Sequence, residues 1–240
     1  MSAPERKPMT GDPVVNGKRV MTMRPDDRVL SPWPALDRIA DHDVPEQHTR
    51  RRFGLAFAHL YILGVCAILA GAFYYQFVRW EYPCPLCLLQ RMLFLLSAIG
   101  PGYVIARSRA GALSTRDWAT GWGWTVVAAI CGAVVAAAQV LMHIVPPDPG
   151  YAGTLFGVHL YTWALIGFVC AVLAAGLMLF LTPSLGTATY PMRRRDTAVF
   201  TLGLLALFAL ANLIACFFLQ GLHWQLPDTP DGYVYFSDQH

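Results

Sequence analysis

Two long apolar runs of the chain meet at Pro83-Cys84-Pro85-Leu86-Cys87. Proline fits the first turn of a helix, where the amides have no intrahelical partner, so Pro85 predicts a helix start. Cys84 then falls at the N-cap and Cys87 in the first turn. Unpaired amides and the positive end of the helix dipole stabilise a thiolate at this end of a helix. The stretch therefore predicts a reactive cysteine pair at the mouth of a helical hairpin.

Arg91 lies one helical turn beyond Cys87, and residues four apart share a helix face. A guanidinium inside an apolar segment is costly and by default marks a functional site. The neighbouring Gln90 is also polar in apolar surroundings, where a hydrogen bond between helices is the default role. A C-x-x-C pair alone also suits half a zinc site or simple packing. No second motif of this kind lies near enough in sequence to complete a zinc site, which favours redox chemistry.

The composition is that of a membrane protein, because 55% of the 240 residues are hydrophobic and only 14% are charged. Apolar runs of about 20 residues are long enough to cross the bilayer core as helices. We place such runs at about Phe53–Val78, Leu86–Ala106, Gly123–Val145, Leu160–Leu181 and Ala198–Leu219. The predicted fold is all-α, a polytopic membrane bundle of four core helices with a fifth transmembrane helix.

Positive residues lie on one side of the predicted membrane. The first 52 residues hold ten of the eighteen Lys and Arg, and the second and fourth loops carry further arginines. The first loop has only Arg79, and the third loop and the carboxyl tail have none. Because cytoplasmic loops carry the positive excess, the amino terminus is predicted inside and the Cys84/Cys87 loop outside, in an oxidising compartment. Topology accounts for the basic clusters, so nothing indicates nucleic-acid binding.

The chain divides into four segments by composition. Residues 1–52 are predicted to form a polar cytoplasmic tail, largely irregular, with a short surface helix at 36–43. Residues 53–182 are the four-helix membrane core with the redox loop. Residues 183–220 are a basic loop and the fifth span, and residues 221–240 are an outer tail. We expect this tail to end in solvent, with aromatic anchors near the headgroups at Trp224, Tyr233 and Tyr235.

The run Tyr82-Pro83-Cys84-Pro85-Leu86-Cys87-Leu88-Leu89-Gln90-Arg91 resembles the first periplasmic loop and second helix of the bacterial disulfide bond formation protein B family. The family pattern there is P-C-x-L-C-x-x-[E/Q]-R. A second segment, Gly157-Val158-His159-Leu160-Tyr161-Thr162-Trp163, resembles the family's approach to its fourth helix. Together with the hairpins, the resemblance spans roughly Phe53 to Leu181.

The resemblance implies a thiol-disulfide oxidoreductase of the bacterial inner membrane. Its partners would be a periplasmic thioredoxin-like thiol oxidase, the lipid bilayer and the quinone pool, with ubiquinone or menaquinone as cofactor. Cys84, expected to be the more exposed sulfur, would receive the partner's electrons, and Cys87 would pass them to quinone. The quinone-binding residues implied by the resemblance are Arg91, Gln90, His159 and Trp163.

The chain departs from the family pattern in two ways that keep alternatives open. The stretch from His143 to Leu160 lacks the family's second cysteine pair, and a fifth span is added. Either the partner reaches an uncovered Cys84 directly, or another protein supplies relay cysteines. Electron flow in reverse, from quinol to a substrate disulfide, is a second hypothesis. A third is a non-catalytic membrane subunit in which Cys84 and Cys87 form a structural disulfide.

Other polar residues in the spans are interpreted mainly as structural. Lone cysteines within spans are usually small packing residues, and this applies to Cys66, Cys131, Cys170 and Cys216. His143, His159 and His223 lie near the outer face, where interfacial capping competes with binding of a metal or haem. His59 has no evident partner at equal depth. Asn212, like Gln90, is expected to form a hydrogen bond between helices.

Overall fold

The computed structural model divides into two units, Met1–Pro45 and Glu46–His240. The residues it describes are 14–15, 18–19, 44–145, 150–151, 153–185, 195–221, 232–233 and 235. In the first unit, β1 (Val14–Val15) pairs antiparallel with β2 (Lys18–Arg19). The helix predicted at 36–43 lies outside the described residues, as do Trp224 and His223.

Within the described ranges, five helices are long and apolar enough to cross a membrane. They are α1 (Val44–Phe77), α2 (Pro85–Arg109), α3 (Thr115–Met142), α4 (Leu160–Leu181) and α5 (Arg195–Gln220). A single 3₁₀ turn at Thr182–Ser184 follows α4. The predicted all-α membrane bundle, including its fifth span, is confirmed.

The helix α3 begins well before the predicted Gly123. Its N-cap is Ser114, whose hydroxyl accepts a hydrogen bond from the Asp117 amide at 3.2 Å. Asp117 Oδ2 in turn accepts the Ser114 amide at 2.8 Å, which completes a capping box. Arg107 Nε lies 3.2 Å from the same carboxylate. The prediction followed hydropathy alone and therefore missed two polar turns that extend the helix beyond its apolar run.

Large aromatic side chains fill the interior between the helices. Trp118, Trp122 and Phe168 have no exposed surface. Phe94 of α2 stacks on Phe168 of α4, with ring centroids 3.8 Å apart. Gly132 of α3 lies against the same ring, so closely that an added methyl group would overlap it. Small residues therefore let α3 and α4 approach closely.

The fifth helix packs beside α1 and α2. Phe208 stacks on Phe73 of α1, with ring centroids 6.1 Å apart. Thr201 Oγ1 lies 2.9 Å from His59 Nδ1. The expectation that His59 lacks a partner was wrong, because α5 supplies one at the same depth.

Asn212 of α5 also departs from expectation. In the part of the chain that the structure describes, its buried Oδ1 has no hydrogen-bond partner, so the predicted bond between helices is not formed by this atom. Asn212 lines an apolar groove of about 520 Å³ between α2 and α5, together with Met92 and Leu96.

Two loops meet at the end of the bundle that carries Cys84. The strands before α4 are β3 (Thr154–Leu155) and β4 (Val158–His159), which pair antiparallel. The Gly153 amide donates to Glu81 Oε2 at 2.6 Å, and the Tyr151 hydroxyl donates to the Tyr82 carbonyl at 2.7 Å. These bonds tie the loop before α4 to the residues that precede the cysteine pair.

Candidate redox site

Cys84 caps the amino terminus of α2. Its backbone is extended, with φ −69° and ψ 166°, and Pro85 is the first helical residue. The Cys87 amide donates a hydrogen bond to Cys84 Sγ at 3.2 Å. The sulfur thus takes the place of an N-cap oxygen and satisfies one of the unpaired amides of the first turn. The predicted positions of Cys84 at the N-cap and Cys87 in the first turn are confirmed.

The two sulfurs are near enough to share a bond or a proton, since their Sγ atoms lie 2.7 Å apart. Cys84 is only 6% exposed, whereas Cys87 is half-buried. The prediction that Cys84 is the more exposed sulfur is wrong, because its capping bond turns the side chain back over the first turn of α2. The hydrogen bond with Cys87 and then burial raise the pKa of the Cys84 thiol.

A pair of buried glutamines links α3 to both sulfurs. Gln139 Nε2 lies 3.4 Å from Cys84 Sγ and 3.6 Å from Cys87 Sγ, within the longer range of hydrogen bonds to sulfur. Gln90 Nε2 donates to Gln139 Oε1 at 2.8 Å. The interhelical bond predicted for Gln90 is confirmed, and it leads to the cysteines through Gln139.

Arg91 is buried, with 8% of its surface exposed, and it is held by neutral groups of α1. Its Nη1 donates to Gln76 Oε1 at 2.6 Å and its Nη2 to the Ala72 carbonyl at 3.1 Å. Its guanidinium carbon lies 5.6 Å from the centre of the Phe73 ring. Among the described residues, no carboxylate forms an ion pair with it. A buried cation of this kind stabilises negative charge that develops nearby, and Cys87 is one turn away.

The end of α5 and the segment after it pack beside Arg91 and its partners. A small buried cluster is formed by Leu88, Cys216 and Leu219, with Tyr82 and Tyr233 against it. The Tyr233 hydroxyl accepts a hydrogen bond from Gln76 Nε2 at 3.4 Å. Its ring meets Tyr82 edge to face, with centroids 5.3 Å apart. The outer tail was expected to end in solvent, yet its Tyr233 belongs to the surroundings of the site.

His159 and Trp163 lie at the start of α4, and no described contact joins either to the cysteine pair or to Arg91. The His159 ring stacks on Tyr161, with centroids 5.1 Å apart, and its buried Nδ1 has no hydrogen-bond partner in the described part of the chain. Trp163 Nε1 donates to the Leu155 carbonyl at 3.0 Å, and the residue is 39% exposed. A role for these two side chains in binding stays a prediction.

Sequence reasoning missed three residues of the site: Gln76, Gln139 and Tyr233. A signal was present for Gln139, since an amide within the alanine-rich apolar run of the third span is costly without a partner. Gln76 carries the same signal near the end of the first span. Nothing in the local pattern distinguishes Tyr233 from the other aromatic residues of the tail.

Fold and site together define a helical membrane protein with a vicinal cysteine pair at a helix terminus beside a buried arginine. The family model of the disulfide bond formation protein DsbB matches residues 52–152. The chain is 33% identical over 156 residues to disulfide bond formation protein B of Burkholderia ambifaria, covering 50% of this chain and 87% of that protein. The chain therefore belongs to the DsbB family.

Other relatives agree with this assignment. Disulfide bond formation protein B 1 of Pseudomonas fluorescens is 31% identical over 159 residues, which cover 53% of this chain and 91% of that protein. The corresponding protein of Burkholderia lata is 33% identical over 150 residues, covering 48% and 84%. No solved structure matches the chain. Apolar helices and relatives together identify a multi-pass protein of the inner membrane.

Proposed function

We propose that this protein is a membrane thiol oxidase that passes electrons from a periplasmic, thioredoxin-like dithiol partner through Cys84 and Cys87 to quinone. One juxtaposition carries the proposal: a C-x-x-C pair at a helix N-terminus, with the buried guanidinium of Arg91 one turn further along the same helix. The relatives named as disulfide bond formation proteins support the same class of activity.

The orientation in the membrane follows from charge. Basic residues concentrate before and near the start of α1, at the facing ends of α2 and α3, and around the start of α5, and these regions are cytoplasmic by the positive-inside rule. The cysteine pair and the carboxyl terminus then face the periplasm. This places Cys84 and Cys87 on the side where a periplasmic partner approaches.

Thiol exchange begins when a thiolate of the partner attacks Cys84 Sγ of the Cys84–Cys87 disulfide. A mixed disulfide forms, and Cys87 leaves with the electron pair as a thiolate. The N-terminus of α2 and the charge of Arg91 stabilise that thiolate. The second thiol of the partner then attacks the mixed disulfide and loses its proton, and Cys84 leaves with the electron pair. The raised pKa of Cys84 favours its protonation, so the partner departs as a disulfide.

Burial of Cys84 changes how the partner must gain access. Direct attack requires an uncovered sulfur, and only 6% of Cys84 is exposed. The partner therefore meets Cys84 only after the groups that cover it have moved. In the alternative route, another protein supplies relay cysteines between the partner and Cys84. This hypothesis predicts that the partner alone is a poor electron donor.

The residues beside Cys87 fit a quinone. Arg91 has five N–H donors, and the bonds to Gln76 and Ala72 leave others for a ligand oxygen. Bound quinone, ubiquinone or menaquinone, would supply the acceptor for the two electrons of the reduced pair. Arg91 would hold a ring oxygen as negative charge develops there. His159, with a buried and unpartnered Nδ1 in the described part, and the neighbouring Trp163 stay in the proposal as further binding residues.

The test is quinone reduction by the purified protein in lipid, with a reduced thioredoxin-like protein as donor. We expect turnover in the wild type and none in Cys84→Ser or Cys87→Ser. Arg91→Met should raise the apparent quinone KM by about tenfold or more, because a charge-assisted hydrogen bond is worth about 1.5–3 kcal/mol. Cys131→Ser is the matched control, since this cysteine of α3 is exposed, whereas Cys84 is buried, and its replacement should not affect turnover.

The other outcomes discriminate between the hypotheses. Turnover only after addition of a second cysteine-bearing protein identifies a relay in trans. Reduction of the partner disulfide by quinol, with no reaction in the opposite direction, identifies a reductase. If the protein assembles but moves no electrons with either donor, the cysteines form a structural disulfide and the proposal fails.

A further inference from the structure

The amide of Gln139 presents its nitrogen to the cysteine pair. Its Oε1 accepts the 2.8 Å hydrogen bond from Gln90 Nε2, so its Nε2 faces the two sulfurs at 3.4 and 3.6 Å. Gln139 is 1% exposed and Gln90 is 5% exposed, so water does not compete for these groups. The pair of glutamines therefore points an N–H donor at the reacting atoms.

This donor distinguishes between the redox states of the cysteines. A thiol or disulfide sulfur is a weak acceptor, whereas a thiolate accepts strong, charge-assisted hydrogen bonds. Gln139 Nε2 lies 3.6 Å from Cys87 Sγ, the sulfur that carries the charge in the reduced pair. This donor thus favours the reduced pair, which carries one negative charge, over the neutral disulfide. Stabilising the reduced form of a dithiol makes its disulfide a stronger oxidant.

We propose that Gln139 stabilises the thiolate of the reduced Cys84/Cys87 pair, with Gln90 as the positioning residue that orients its amide, and that the two glutamines thereby make the disulfide a stronger oxidant. That this oxidising strength serves to oxidise a partner dithiol rests on the proposed function. The effect of Gln139 on the thiolate and on the disulfide equilibrium does not depend on that function. Reduction of the disulfide takes up two electrons and one proton, leaving a thiol on Cys84 and a thiolate on Cys87. The other ionisable groups around Arg91 are Cys216 of α5 and Tyr233 of the outer tail.

The test measures two properties of the purified protein without quinone or partner. The first is the pH midpoint at which thiolate absorbance appears in the reduced protein. The second is the equilibrium with glutathione, in which two reduced molecules convert the disulfide to the dithiol and yield one oxidised molecule. In Gln139→Leu we expect the midpoint to rise by about one pH unit and the equilibrium to move about tenfold toward the disulfide, because one hydrogen bond to a charged group is lost.

Isosteric and positional variants separate the hydrogen bond from packing. Gln139→Glu keeps the shape of the side chain but replaces the N–H donor by an acceptor. The pH midpoint should therefore rise, and the glutathione equilibrium should move toward the disulfide, at least as far as in Gln139→Leu. Gln90→Leu should move both in the same direction by a smaller amount, since it frees the Gln139 amide to rotate. Thr125→Val is the control, because this buried residue of α3 bonds to the Ser97 carbonyl and not to sulfur.

Unchanged midpoint and equilibrium in folded Gln139→Glu and Gln90→Leu would overturn the inference, even if Gln139→Leu failed to assemble. Equal shifts in Thr125→Val would overturn it as well, because the effect would then be one of general packing. A protein that does not reduce quinone but shows the expected shifts contradicts the proposed function alone. Active quinone reduction with unchanged thiol titration contradicts this inference alone.

Discussion

At the residue level, the two cysteines differ in how easily each loses its proton. Cys84 is buried and shares a hydrogen bond with Cys87, and these two effects raise the pKa of its thiol. A thiol with a raised pKa remains protonated and unreactive toward alkylating agents at a pH where an ordinary cysteine has begun to ionise. The reduced pair therefore keeps a proton on Cys84 as the pH rises.

Replacing the neighbour should make Cys84 more acidic. In Cys87→Ala the hydrogen bond that contributes most to the raised pKa is lost, so the pH at which Cys84 becomes alkylated should fall by about one unit or more. The measurement is the rate of iodoacetamide labelling against pH, with the labelled peptide identified by mass. Cys216 of α5 provides an internal reference, because it is buried and the substitution does not alter a residue of its own helix. A labelling profile for Cys84 that does not move would mean that burial, and not Cys87, controls its proton.

At the level of elements, close helix approach depends on particular glycines and not on the abundance of small residues. Gly132 and Gly123 both lie in α3. A Cβ at Gly132 would overlap the Phe168 ring, which is itself stacked on Phe94, whereas a Cβ at Gly123 would meet nothing within 4 Å. Glycine is therefore required for close packing at position 132 of α3 but not at position 123.

Gly132→Ala should lower the free energy of unfolding by about 1–3 kcal/mol, the usual cost of overpacking a well-filled core. Gly123→Ala should leave the free energy of unfolding unchanged or raise it by up to about 1 kcal/mol, because alanine favours the helix and its Cβ meets no neighbour. Reversible unfolding in mixed detergent micelles measures both. Equal effects of the two substitutions would show that α3 and α4 are not held at the distance described.

At the level of the whole molecule, the fifth helix and the outer tail close the bundle next to the redox site. Tyr233 contacts Tyr82 and Gln76, and Gln76 in turn holds Arg91. Tyr235 of the same tail instead packs on Phe217 and Phe218 of α5. The tail thus has one aromatic residue at the site and another that packs against α5.

Loss of the Tyr233 ring should make the pair easier to reach. An aromatic pair contributes about 0.5–1.5 kcal/mol, so Tyr233→Ala should speed labelling of Cys84 by roughly 2- to 13-fold in the reduced protein. Tyr235→Ala is the matched control and should leave the rate unchanged. If both variants label at the wild-type rate, the tail does not limit access and the cover over Cys84 lies elsewhere.

Local features of the sequence were enough to predict much of this protein. Apolar length predicted the five spans, and Pro85 predicted that Cys84 would cap α2, because both depend on residues adjacent in the chain. Arg91 was recognised for the same reason, as a charge within an apolar helix. The start of α3 was missed only because the capping signal at Ser114 was not weighed against hydropathy.

The tertiary structure decided which groups surround the cysteines. Gln90 and Gln139 are 49 residues apart, and Gln76 and Tyr233 are 157 residues apart, so no local pattern links either pair. Burial of Cys84 likewise depends on how the helices and loops assemble around it. The sequence alone determined where a cysteine pair begins a membrane helix. Packing decided how that pair is shielded and which polar groups face it, because hydrogen bonds in an apolar interior form between whichever polar groups the fold brings together.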